Sequence, residues 1–233
     1  MITLYSYPDL FGVEDNNPYG LKVFAFLKLC GLAFGHRHIL DARSAPRAQL
    51  PYVDDDGHAI GDSDAIVRHL TQHYGLSIDA ALTDAQRDLD HLVRRTLDDL
   101  YWVMSYSRWR DERYWPAFMA ALLRTHADLT EDALLAARQY NFERYYYQGI
   151  GRYERDEVYA RGMADLAVVS RLIGERAFLF GDAPASTDAG IYGFVANIHC
   201  YDIDTPLKRF VLSRPNLVRH CNGVRAAMGQ GAR

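Results

Sequence analysis

Three short segments in the first third of the chain carry residue types that could hold a peptide-like anion: Asn17-Pro18-Tyr19, Leu50-Pro51 and Asp62-Ser63. Asn17 precedes a proline at a helix start. A thiolate placed there gains from the positive helix end and from donors such as the Asn17 amide. That help matters because a free thiol titrates near ~8.5. Leu50 precedes a proline that opens a strand; lacking an N–H, proline starts strands rather than sitting inside them. With a cis bond before Pro51, Leu50 would be held extended, its N–H and C=O free to pair with a peptide backbone as an added strand would. Asp62-Ser63 stands at a second helix start, where free N–H groups and the helix dipole attract a carboxylate. Ser63 would add a hydroxyl donor and Asp62 would accept from an ammonium, so the pair suits an α-amino acid head. Each segment also has a plain structural reading. Asn17 and Asp62 or Ser63 serve as ordinary helix caps, and Pro51 as an ordinary trans proline.

The elements that must position these residues are legible in part. Ile2 to Tyr7 is rich in β-branched and aromatic residues and stops at Pro8, which predicts a strand. Tyr5 and Tyr7, at its end, would share a face opposed to Ser6 and offer a hydroxyl donor. Pro18 to about Cys30 reads as a helix that is apolar on most sides, relieved by Lys22 and Lys28, and so covered on most sides. Phe34 to Leu40 reads as a second strand. Asp54-Asp55-Asp56-Gly57 reads as a hairpin turn between strands at Leu50–Val53 and His58–Ile60. A helix from about Asp64 to Tyr74 ends at Gly75. The order is β-α-β followed by β-β-α.

From Thr83 onward helical periodicity replaces strand signals. Helices are expected at about 83–107, 111–127, 131–147, 154–174, 187–199 and 215–228, with breaks at Pro116, Gly149-Ile150-Gly151, Gly174 and Gly181–Pro184. The expected division is residues 1–76 and 83–233. Arg108, Arg110 and Arg113, set among Asp111 and Glu112, read as a solvated charged turn. His69 and His73 are spaced to share a helix face, but no third metal ligand is apparent. No metal site is expected.

The composition is that of an ordinary globular protein: 233 residues, 49% hydrophobic and 24% charged. A formal net charge of −4 gives no electrostatic reason to expect nucleic acid or an anionic membrane as partner. Cys30, Cys200 and Cys221 form no paired spacing, which argues against a disulfide framework. No apolar stretch is long enough to span a bilayer, and no leader is visible. The expected setting is the cytoplasm.

In order, the three segments resemble the glutathione-binding half of glutathione transferases. The later segments Gly149-Ile150-Gly151-Arg152, Leu172-Ile173-Gly174 and Phe178 to Ala189 resemble the metaxin-like branch that includes the failed-axon-connections family. The resemblance covers nearly the whole chain. It implies an α/β plus all-α architecture, the glutathione-transferase fold, with an N-terminal thioredoxin-like domain and a C-terminal helical bundle. It implies glutathione as co-substrate, held by Leu50, Pro51, Asp62 and Ser63, with its thiolate near Asn17 and with Tyr5 or Tyr7 as donor. It implies a small apolar electrophile lying against the first long helix of the second domain, at Tyr101 and Tyr106, and a homodimer. The sequence departs from the family in two places. Asn17 stands where many transferases place Ser or Cys, and Ala185 replaces the Thr of a Thr-x-x-Asp capping box, leaving Ser186 to cap one residue later. Asn17 also fits a rival class, a non-catalytic binding or scaffold protein of metaxin-like type. A glutathione-dependent hydrolase, lyase or peroxidase is a third reading.

Overall fold

The computed structural model describes residues 1–229. Its first part is a four-stranded sheet with two helices. Strand β1 (Ile2–Ser6) lies between β2 (Phe34–His38), to which it is parallel, and β3 (Tyr52–Asp55), to which it is antiparallel; β4 (His58–Gly61) completes the order β2-β1-β3-β4. The parallel pair needs a crossover, supplied by α1 (Pro18–Leu29). The β3–β4 turn is made by Asp56 and Gly57, both left-handed at φ 51° and 88°, which matches the twist of a two-residue hairpin. The Asp54 carboxylate closes it by accepting the Gly57 N–H at 2.9 Å. Leu4 and Val53 sit opposite each other in the ladder, and both are fully buried with Leu27, Ile66 and Leu70 from α1 and α2 (Ser63–His73).

From Asp84 on, every regular element among the described residues is helical: α3 (Asp84–Trp109), α4 (Trp115–Thr125), α5 (Glu131–Gln148), α6 (Arg155–Ile173), α7 (Ser186–His199), α8 (Pro206–Leu212) and α9 (Pro215–Ala227). Thr83 caps α3 with Gln86 in a reciprocal box. Helix α7 is buried from Ser186 to Ile198. It packs against α1, α3 and α9 and joins the two parts of the chain. A helix enclosed in this way must be apolar or small on every side. Gly193 is small for a specific reason: a Cβ there would overlap the Pro18 carbonyl oxygen of α1.

Several expectations are corrected. Pro116 does not break a helix. It sits in the first turn of α4, where its missing N–H costs nothing, so α4 starts at Trp115 instead of near residue 111. Helix α8, seven residues long, is too short to show periodicity and was not expected. Ser186 does not cap α7. It is the first helical residue, and its hydroxyl accepts from Arg94 Nη2 at 3.0 Å. Asp188 keeps its half of the capping box, accepting the Ala185 N–H at 2.8 Å. Arg108 and Asp111 are buried and do not form a solvated turn. Arg108 donates to the Asn16 carbonyl and, at 2.9 Å, to that of Asn197; Asp111 accepts from Tyr159 at 2.8 Å. His69 pairs with Asp55 at 2.9 Å.

Candidate active site

A cleft of about 900 Å³ runs between the first domain and helices α3 and α5. Asn17, Leu50, Pro51, Asp62 and Ser63 all line its first-domain wall. Asn17 caps α1, and its Oδ1 accepts the Tyr19 N–H at 3.0 Å. That bond fixes the amide: the oxygen faces the helix, and Nδ2 is left with two donors and no acceptor among the described residues. The capping role and a role toward a thiolate therefore use different atoms of one side chain.

The loop carrying Asn17 is anchored from below. Asp15 is fully buried, and its Oδ1 accepts the Asn17 N–H at 2.7 Å. Burial pushes the Asp15 carboxyl well above the usual range. Asn197 of α7 donates to the Asp15 carbonyl at 3.1 Å, and Asn16 donates to the Pro8 carbonyl at 2.8 Å. Gly20 is required beside this carboxyl, because a Cβ would overlap it.

The Leu50–Pro51 peptide bond is cis. Pairing in β3 begins only at Tyr52, and the N–H and C=O of Leu50 enter no hydrogen bond among the described residues. They are an unpaired donor and acceptor at the cleft wall, the arrangement that β-addition of a peptide requires. Asp62 caps α2 with Oδ1, accepting the N–H groups of Asp64 at 3.1 Å and Ala65 at 3.0 Å. The cap leaves its Oδ2 and the Ser63 N–H without a partner among the described residues. Lys22 of α1, buried, donates to Ser63 Oγ at 3.1 Å and to Asp64. Burial alone would raise the Asp64 carboxyl, but Lys22 and Arg94 outweigh it and hold it at about 2. This network ties α1, α2 and α3 together behind the cleft.

Tyr7 lines the cleft and Tyr5 does not. The strand ends at Ser6, so the pleat that would put both tyrosines on one face no longer governs Tyr7. Tyr5 stacks on its ladder partner Tyr52 with ring centroids 4.4 Å apart. Burial, with Tyr101 and Asp15 adding, pushes the Tyr7 hydroxyl up to about 12. It stays protonated at neutral pH and can only donate to an anion. Tyr101 lines the opposite wall, but Tyr106 is buried between Tyr145 and Tyr159. Five residues on a helix turn about 140°, so Tyr101 and Tyr106 cannot share a face. Trp102, beside Tyr101 on the same helix, also lines the cleft, and the sequence reading missed Tyr140 and Arg144. The last two come from α5, whose place beside the cleft has no local signature.

Both halves of the chain match models of one family. Residues 18–114 match the glutathione S-transferase N-terminal domain, and residues 162–224 match the glutathione S-transferase C-terminal domain. The chain belongs to the glutathione S-transferase superfamily. Within it, the chain is 29% identical over 235 residues to the isoprene-epoxide–glutathione S-transferase of Rhodococcus sp. (strain AD45), covering 97% of this chain and 98% of that one. It is 28% identical over 239 residues to Failed axon connections of Drosophila melanogaster, covering 94% of this chain and 56% of that longer protein. The glutathione S-transferase of Ceriporiopsis subvermispora, solved in complex with glutathione, superposes with a TM-score of 0.62 at 15% identity, covering 97% of each chain. The glutathione-transferase fold is thus shown by sequence models and by structure alike. No helix among the described residues is long and apolar enough to cross a membrane.

Proposed function

We propose that this superfamily member binds glutathione in the cleft and conjugates its thiolate to a small apolar electrophile. The observation that carries the reading is the unpaired Leu50 N–H and C=O, standing in one cleft with the Asp62–Ser63 helix start and the Asn17 amide. The cysteinyl backbone would pair with Leu50 beside Pro51, and the γ-glutamyl head would lie at Asp62 and Ser63. The sulfur would sit at the start of α1, within reach of Asn17 Nδ2 and the Tyr7 hydroxyl. Catalysis then needs thiolate stabilisation and proximity, with no protein nucleophile. The electrophile class we favour is an epoxide, supported by similarity along nearly the full length to a relative named for isoprene epoxide. A homodimer and a cytoplasmic setting are proposed on the family resemblance; light scattering on the purified chain tests the first.

Calorimetry with glutathione is the primary test. Wild type should bind, and Ser63→Ala should weaken binding about tenfold or more, the usual effect of losing a hydrogen bond to a charged group. An absence of heat at millimolar glutathione removes the proposal. Tyr7→Phe should leave binding nearly intact but move the pH–rate profile upward by about one to two pH units, since a donor to the anion is lost. An unmoved profile would show that Tyr7 does not face the sulfur.

A second reading has its own support. Asn17 stands in place of a hydroxyl or thiol, and the similarity to Failed axon connections spans 94% of this chain. It fits a metaxin-like binding protein that holds glutathione without turnover. Binding without conjugation across a panel of electrophiles would favour it.

A further inference from the structure

The second-domain wall of the cleft holds a charge without a counter-charge. Arg94, half-buried on α3, is held by Asp90 at 2.9 Å and by Asp64 at 3.0 Å. Arg95 pairs with Asp98 at 3.0 Å. Arg144, half-buried on α5, has no carboxylate within salt-bridge distance among the described residues. Its Nη1 donates to the neutral Asn141 Oδ1 at 3.0 Å. The guanidinium lies 5.1 Å from the Trp102 ring centroid and 5.7 Å from that of Tyr140. The aromatic rings orient it and reduce its hydration but do not neutralise it. Burial alone would lower the Arg144 pKa, but Tyr101, Tyr145 and Tyr140 around it outweigh burial and raise it, and Arg144 in turn acts to lower that of Tyr7. With no carboxylate of its own, the guanidinium is a half-buried cation able to take negative charge from a ligand in the cleft.

Resting on the glutathione-conjugating reading, we propose that Arg144, with Tyr101 beside it, binds the oxygen of an epoxide substrate and stabilises the alkoxide formed as the ring opens. The thiolate sulfur, near Asn17 and Tyr7, attacks one ring carbon and forms the C–S bond. The C–O bond to that carbon breaks, and its electron pair goes to the oxygen. Arg144 faces this oxygen from the wall opposite the sulfur. The alkoxide takes a proton from solvent by way of the Tyr101 hydroxyl, which balances the proton the thiol released to solvent. Donors placed where charge develops, in an aromatic and poorly hydrated setting, favour the transition state over the ground state. A small neutral epoxide thus meets an aromatic surface and the Arg144 cation set among it, whereas a halide-bearing electrophile of the same shape forms no oxyanion.

The test compares styrene oxide with benzyl chloride, which share a phenyl body and differ in the leaving atom. For Arg144→Gln, the ratio of kcat/KM for the epoxide to that for the halide should fall about 10- to 100-fold, carried by kcat. Arg144→Lys, which keeps the charge, should recover part of the loss. A ratio unchanged in Arg144→Gln overturns the inference, because a merely structural role would lower both activities together. So does a loss that appears only as a raised KM for an electrophile already bearing a carboxylate, which would make Arg144 a ground-state anion site. Calorimetry on wild type separates the two levels: absent glutathione binding removes this inference and the reading beneath it, while intact binding with an unchanged ratio removes this inference alone.

Discussion

Asp188→Ala should cost about 3–5 kcal/mol of folding stability, the usual effect of removing one partner from a buried charged network. Asp188 and His220 are both fully buried. One carboxylate oxygen accepts the Leu179 N–H at 2.8 Å and pairs with His220 Nε2 at 2.7 Å; the other accepts the Ala185 N–H at 2.8 Å. Alanine would strand two backbone donors and an imidazole in a dry core at once. Domains are stable by only about 5–15 kcal/mol, so the loss takes a large share of the total. Urea unfolding is the measurement: the midpoint should fall with little change in slope. Asp188→Asn, which keeps two acceptor directions on its oxygen, should lose less. A midpoint for Asp188→Ala within experimental error of wild type would mean that α7 and α9 are not held by this carboxylate.

The second large effect concerns Gly193. Gly193→Ala should destabilise the protein by about 1–3 kcal/mol, the cost of overpacking a filled interior. It should also weaken glutathione binding in the fraction that remains folded. The added Cβ would overlap the Pro18 carbonyl oxygen and lie 3.0 Å from the Lys22 nitrogen. Those two atoms are the partners that an α-helix joins from i to i+4 in its first turn. Neither is a flexible side-chain tip, so α1 itself has to move. The moving end carries Asn17, and the same turn carries Lys22, which reaches Ser63 at 3.1 Å. The combination is diagnostic. Thermal unfolding should fall by roughly 2–12 °C, from about 2–4 °C per kcal/mol for a chain of this size, and calorimetry should show a raised Kd. Gly190→Ala on the same helix is the control, since its Cβ would meet Leu97 at an ordinary 3.5 Å. Equal behaviour of the two variants would sink the argument.

What the sequence settled by itself was local. Asn17 before Pro18 marked the start of α1, because a side-chain acceptor and a proline with no N–H to satisfy are both read within one turn. The run Asp54 to Gly57 marked the hairpin, and the structure narrows the turn to its last two residues, both left-handed. The change from strand to helix texture after residue 76 rests on periodicities that extend over only a few residues. The three segments on the first-domain wall were legible because each is a helix or strand start with its own chemistry.

What the tertiary structure decided was which faces meet. Tyr7 enters the cleft and Tyr5 does not, because the chain leaves the pleat after Ser6 and then follows a loop anchored by Arg108 and Asn197. Tyr101 and Trp102 reach the cleft while Tyr106 is buried, a matter of how α3 is rotated against its neighbours. Arg108 is buried although its neighbours in sequence are charged, since its partners lie about 90 residues away on either side. Arg144 and Tyr140 are ordinary helix residues in the sequence, and only the packing of α5 gives them a cleft to face. Capping and turn preferences act over a few residues and are written locally. The burial of a charge or the choice of a lining face depends on contacts between distant segments, which no single stretch of the chain contains.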